Sequence, residues 1–480
     1  LTFVKRKSNF YIPEYDYCSG VIIVQLSDIF PDRSEESLKL ARQWLLLGLF
    51  ALIAAGLFSV LLVLSRTPSI QEVIPFIDFF HVALVVHVNL SVLIWFMSFA
   101  CVLFTLVVED ILMPLAKASF YMALAGTIIL VTAPFFGVGA PLMNNYIPTL
   151  QHPVFFIALL LFAGGVFIRL FINLFATRIK FSNLTVPNAI KVSIWFAGNV
   201  CILSCVALFF SYRGIPLEVV GEAYYEFLYW GSGHILQFNH SLLMLLAWLV
   251  LILLTGKTLP LSGKSLLILA VLAILPVVDA IRIYFMYDIY TPEHRLAFTN
   301  LMKFGGLSTL PLGLFIAFQF FTGLASFKQH SLNRTVLICS ATLFLTGGVI
   351  GFLIEGVNVV IPAHYHGSIV GVTLSFMGLA YLLLPFLGYA RVSSKLPHWQ
   401  MYTYSAGQMM HIIGLAWSGG YGVQRKTAGA AQGLERIEQI GGMFLMGLGG
   451  AVSIVGGVLF MIVMIKAIRG SSQNAVEAKV

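Results

Sequence analysis

His364 and His366 stand one residue apart in IPAHYHGSIVGVTLSFMGLAY, at the start of an apolar run long enough to cross a membrane. On a helix, two positions are about 200° of rotation. The two imidazoles therefore leave on opposite sides. One metal ion cannot readily use both, whereas two separate cofactors flanking the helix can. An ionisable side chain inside a bilayer is costly, so such a pair is a functional-site hypothesis by default. Neutral imidazole is a good ligand for iron and copper.

Of the eleven histidines, two more fall inside apolar runs at comparable depth. His87 lies in HVNLSVLIWF and His234 in WGSGHILQFNH. His240, six positions after His234, is about 240° round the helix and does not share its face. His411, in GQMMHIIGLAW, is either a packing residue or a neighbour of the site. His81 reads as interfacial. His152, His294, His330 and His398 fall in or next to loops, where a solvated role is expected.

The elements that carry these residues follow from composition. The chain has 480 residues, 59% hydrophobic and 10% charged, with a mean hydropathy of +0.93. Continuous apolar runs of about 20 residues recur, which indicates helical spans rather than the alternation of a membrane barrel. The spacing predicts an all-α polytopic protein with about twelve transmembrane helices: 42–65, 79–107, 116–137, 153–176, 189–211, 227–255, 265–287, 297–324, 333–355, 362–389, 402–424 and 437–467. Residues 1–40 and 469–480 are polar and read as segments outside the 41–468 membrane domain. No signal peptide is evident. The five cysteines, Cys18, Cys101, Cys201, Cys205 and Cys339, form no zinc or disulfide pattern.

Basic residues orient the array. Arg178, Lys180, Lys191, Lys257, Lys264, Lys328, Arg334, Arg391 and Lys395 lie in or beside loops after even-numbered spans, which places those loops on the cytoplasmic or matrix side. The net charge of +8 is thus topological and implies no nucleic acid. His87, His234, His364 and His366 then fall together in the outer third of the membrane. One outer loop, GYGVQRKTAGAAQGLER, breaks the charge rule with Arg425, Lys426 and Arg436, and an anionic cofactor or partner would explain it.

This ordered set resembles subunit I of the haem–copper oxidase superfamily, which includes cytochrome oxidases and membrane nitric oxide reductases. The resemblance covers roughly residues 40–468 and rests on a histidine in span two, a Gly-His pair in span six, His-aromatic-His in span ten and a basic pair after span eleven. It implies two haems. His87 and His366 would hold a low-spin haem, His364 would be the axial ligand of a high-spin haem, and Arg425 and Lys426 would meet propionates. His234 would belong to the second metal of the active site.

The departures are equally specific. Phe238 stands where the family carries a tyrosine or glutamate four residues after the span-six histidine, and Leu236 where oxidases carry a glutamate. The paired histidines of span seven are absent from DAIRIYFMYDIYTPEHR. One imidazole is a poor copper site, so a second metal, copper or non-haem iron, is either missing or held by His234 with some of Asp279, Asp288, Glu293 and His294. Asp279 and Arg282 read more simply as a buried ion pair at i,i+3. The resemblance implies a catalytic respiratory reductase that passes electrons from the low-spin to the high-spin haem and reduces O2 or NO. It would receive electrons from cytochrome c or quinol, beside further membrane and haem- or copper-bearing subunits. It would sit in a prokaryotic cytoplasmic or mitochondrial inner membrane. The alternative is a non-catalytic electron relay or assembly subunit that has lost the second metal.

Overall fold

The computed structural model describes residues 24–30, 33–68, 77–108, 111–137, 139–176, 184–392 and 394–477. Cys18, Arg178, Lys180 and most of the polar 1–40 segment lie outside the described residues. Among the described residues, the regular structure is helical apart from one two-stranded hairpin. Eleven helices among the described residues are long and apolar enough to cross a membrane. In chain order, spans one to ten are Glu35–Arg66, Phe79–Val107, Met113–Phe136, Pro153–Phe175, Val186–Gly214, Gly221–Leu253, Gly263–Met286, Pro292–Thr322, Ser331–Phe352 and Val360–Phe386, and span twelve is Ile437–Gly470. Span eleven is the 25-residue helix Leu396–Gly420. Gln400, Tyr402, Tyr404, Gln408 and His411 make it more polar than the others, and it lies pressed against span twelve through glycine-lined faces. The last helix continues past Gly470 to Glu477.

Local chemistry fixes where several spans begin. Ser34 accepts from the Ser37 N–H at 3.2 Å, and Glu35 and Glu36 occupy the first turn of span one, where the helix dipole favours acidic groups. Ser262 caps span seven in the same way. Thr291 caps span eight with Pro292 following at the first helical position. Asn358 accepts from the Val360 N–H at 2.9 Å and starts span ten.

Several spans are irregular, and three of the irregularities lie in spans that carry residues considered for the site. Span two widens into a π-helical stretch at Asn89–Ile94, directly after His87. Single π-turns commonly mark functional sites. Span seven tightens to a 3-10 turn at Leu275–Val278 around Pro276. Span eight passes through π and 3-10 turns between Leu301 and Thr309. The strands β1 (Pro141–Leu142) and β2 (Thr149–Leu150) pair antiparallel and form a hairpin between spans three and four. Spans two, six and ten are the most enclosed, and they are the spans that carry His87, His234, His364 and His366.

Candidate functional site

Span ten presents its two histidines to different neighbours. His364 turns toward span nine, where its Nδ1–H donates to the Gly347 carbonyl at 2.7 Å. The ring needs the bare backbone of Gly351, since a Cβ there would lie 2.6 Å from His364 Nδ1. His366 turns the other way. Its Nδ1–H donates to the Pro362 carbonyl one turn earlier at 2.8 Å, the Tyr365 ring stacks on it at 5.0 Å, and the His411 ring lies 4.7 Å away at 50°. The opposite-sides arrangement expected from the two-residue spacing is therefore the one adopted.

His87 is anchored by the same device, with Nδ1–H donating to the Ala55 carbonyl of span one at 2.9 Å. His411 uses Nδ1 toward the Met446 carbonyl of span twelve at 3.0 Å. His87 and His411 are both electrostatic neighbours of His366. A histidine whose Nδ1–H is fixed on a carbonyl keeps its Nε2 lone pair for a metal, which is how ligating imidazoles are usually oriented.

Arg66, the last residue of span one, reaches the same place. It is an electrostatic neighbour of His366, His411 and Tyr365. Its buried Nε and Nη2 have no hydrogen-bond partner among the described residues. Unpaired buried donors of this kind call for an acceptor, and a carboxylate suits them best. The donor set here, imidazole Nε2 atoms beside an unpaired guanidinium, fits a haem with its propionates. Sequence reasoning missed Arg66. The available signal was an arginine at an outer span end, where the charge rule expects few.

The basic pair of the last outer loop is held in place by several elements. The Arg425 guanidinium donates to Asn145 Oδ1. Lys426 Nζ donates to the Met143 carbonyl at 3.2 Å and pairs with Glu222 at 3.5 Å. The Lys426 carbonyl accepts from His81 Nε2 at 3.0 Å. Lys426 itself has a φ of 60°, left-handed backbone that a lysine adopts only at a cost. Burial, and after it the Arg425 guanidinium, pull the Lys426 ammonium below its ordinary value. Arg425 is also an electrostatic neighbour of Tyr365, which joins this loop to the His366 side of span ten.

His234 has a separate environment. Its Nδ1 lies 2.7 Å from the Trp230 carbonyl and 2.8 Å from the Tyr146 hydroxyl, so one N–H is shared between two oxygens. Tyr146 comes from the β1–β2 hairpin, and nothing around His234 in the chain announced it. Burial, and then the Glu226 carboxylate, push the Tyr146 hydroxyl well above its usual range. The glycines of WGSGH make room for two tyrosines: a Cβ at Gly233 would lie 2.2 Å from the Tyr146 ring, and one at Gly231 would lie 2.3 Å from the Tyr284 hydroxyl. Asn145, next to Tyr146, donates to Glu226 and accepts from Arg425, so one hairpin ties the basic pair to the His234 region.

His294 corrects the surface role expected for it. It is 1% exposed, because the Thr291–Pro292 cap starts the helix early enough to turn His294 inward. Its ring meets Tyr284 at 5.2 Å and Phe298 at 5.0 Å, and Phe298 in turn meets His234 at 5.9 Å. His294 Nε2 is buried without a partner among the described residues. Of the side chains considered as company for His234, this one shares its cluster. Asp288 and Glu293 are exposed. Asp279 pairs with Arg282 at 2.6 and 2.9 Å, as i,i+3 spacing predicts, but the pair is half-exposed rather than buried. It borders a separate open cleft of about 490 Å3 that contains no histidine. Phe238 is buried and packs toward Gly305 of span eight. His240 lies against Phe96 at 4.8 Å. Among the described residues, no group of three or more His, Cys, Asp or Glu side chains is placed to hold a metal ion.

Residues 39–461 match the family model described as cytochrome c and quinol oxidase polypeptide I. An uncharacterized protein of Rickettsia prowazekii (strain Madrid E) is 31% identical over 500 aligned positions, spanning 88% of this chain and 94% of that protein. An uncharacterized protein of Aquifex aeolicus (strain VF5) is 28% identical over 73% of this chain and 86% of its own length. Among solved structures, a heme-copper terminal oxidase dimer determined by cryo-EM superposes with a TM-score of 0.71 at 17% identity, covering 91% of this chain and 84% of its own.

Proposed function

The chain belongs to the cytochrome c and quinol oxidase polypeptide I family, and from that premise we propose that it is the catalytic, dihaem subunit of a respiratory terminal reductase. The observation that carries this reading is the common anchoring of His87, His366 and His364. Each donates Nδ1–H to a backbone carbonyl, and the two histidines of span ten do so on opposite sides of the helix. His87 and His366 would hold the low-spin haem, with Arg66, Arg425 and Lys426 as donors to its carboxylates. His364 would hold the high-spin haem. Haems held there would supply one-electron chemistry and, on the His364 side, the site for reduction of O2 or NO. Span ten, with His364 and His366 on opposite sides, would lie between the two. Phe238, in place of the usual tyrosine, favours NO or a divergent oxidase over standard oxygen reduction. Cytochrome c or quinol would be the donor, with further subunits beside the chain. The membrane would be a prokaryotic cytoplasmic or mitochondrial inner one.

A second reading, an electron relay or assembly subunit, draws on one observation: His234 shares its surroundings with His294 and two tyrosines rather than with a metal-binding trio. Optical spectra of the purified protein, reduced and reduced plus CO, separate the two. The catalytic reading expects two haems per chain, one of which binds CO. His87→Ala should remove the low-spin haem alone, and His364→Ala the CO-binding haem alone. Two six-coordinate haems with no CO binding would transfer the conclusion to the relay.

A further inference from the structure

We propose that His411 is a third imidazole of the low-spin centre, able to take the axial position when His366 leaves it. This rests on the reading of His87 and His366 as the haem pair, and it concerns a residue that reading leaves without a role. His411 belongs to span eleven and His366 to span ten, yet their rings lie 4.7 Å apart at 50°. The two therefore share a location without sharing a helix, and neither constrains the phase of the other.

Anchoring makes His411 a ligand rather than a packing residue. Its Nδ1–H is spent on the Met446 carbonyl at 3.0 Å, just as His366 spends its own on Pro362 and His87 on Ala55. A histidine serving only to join spans eleven and twelve would gain from a donor to its second nitrogen. His411 shows no such bond among the described residues, and its Nε2 lone pair is left unused. His411 also neighbours His87 and Arg66 electrostatically, so it lies close to both members of the pair.

The exchange is simple to balance. The bond from iron to His366 Nε2 breaks and one to His411 Nε2 forms. Each imidazole keeps its Nδ1–H, and no electron or proton moves. His87 would remain a ligand throughout.

Three variants of the full chain test this: His366→Ala, His411→Ala and the double replacement. Each is read by haem count and by low-temperature electron paramagnetic resonance of the oxidised protein, with the CO-binding haem as the sign of correct folding. His411→Ala should keep two haems per chain. His366→Ala should also keep two, with the low-spin resonance present but displaced in its g values. The double variant should fall to one. If His366→Ala alone falls to one haem and loses the low-spin resonance, His411 is not a ligand, while the pairing of His87 with His366 stands. If the double variant keeps both haems and an undisplaced low-spin resonance, the pairing itself fails and this proposal with it. Should His366→Ala lose the CO-binding haem as well, His366→Gln, which retains more of the side chain's volume and polarity, carries the same comparison.

Discussion

Gly351→Ala is a small change aimed at one side of span ten. A methyl group at that position would lie 2.6 Å from His364 Nδ1 and 2.7 Å from Cε1. An ordinary contact begins near 3.4 Å, so the imidazole must retreat by about 0.8 Å. Its hydrogen bond to the Gly347 carbonyl is 2.7 Å long, and a shift of that size stretches it beyond useful length. Losing the anchor costs about 1 kcal/mol, which corresponds to roughly a fivefold weaker hold on whatever His364 binds. Gly348 supplies the control. It lies in the same span with nothing within 4 Å of its added Cβ, and alanine there should be neutral or mildly stabilising because alanine favours a helix over glycine. The assay is the amplitude of the CO difference spectrum per chain, measured during dilution or mild detergent challenge. Gly351→Ala should release the CO-binding haem several times more readily than Gly348→Ala, with the low-spin haem unaffected in both. Equal retention in the two variants would refute the anchoring argument. Selective loss of the low-spin haem would refute the assignment of faces.

Two further outcomes follow from the outer surface. Tyr146→Phe removes one of the two oxygens sharing the His234 N–H, which should cost about 1 kcal/mol and lower the thermal midpoint by a few degrees at most, with the haem count intact; an unchanged midpoint would show that the bond adds nothing. At Lys426, where φ is 60°, glycine relieves the left-handed strain and alanine does not, so Lys426→Gly should unfold later than Lys426→Ala by about 1 kcal/mol in denaturant titration.

The spans and the pairing of faces at His364 and His366 were legible because helical periodicity is local: hydropathy finds the runs, and rotation per residue decides where two side chains point. Span depth put His87 at the level of His364 and His366 but could not choose between them; the pairing with His366 came from the resemblance alone, and in the structure the two are electrostatic neighbours. Tyr146 could not be read in advance. It meets His234 across 88 positions of sequence, from a short hairpin with no helical period to betray its direction. Arg66 was overlooked because one arginine at a span end is easily passed over, although the charge rule expects few on the outer side. His294 was misjudged because its neighbours, PEHR, are polar, although the cap at Thr291 settles its orientation. Burial of a polar-flanked residue is a tertiary property, whereas the start of its helix is a local one.

The π-helical stretch at Asn89–Ile94 has a consequence for how span two tolerates length changes. A π-turn holds an extra residue relative to the α-helix around it, so the span stores a phase offset of about 100° between His87 and the inner half of the helix. Asn89 fastens the offset by donating to the carbonyls of Val85 and Pro148, at 2.9 and 2.8 Å. Removing one residue from this stretch would not shorten a loop. It would turn His87 away from His366 of span ten, its electrostatic neighbour, while leaving the span's apolar length almost unchanged, so that membrane insertion and the placement of His87 come apart.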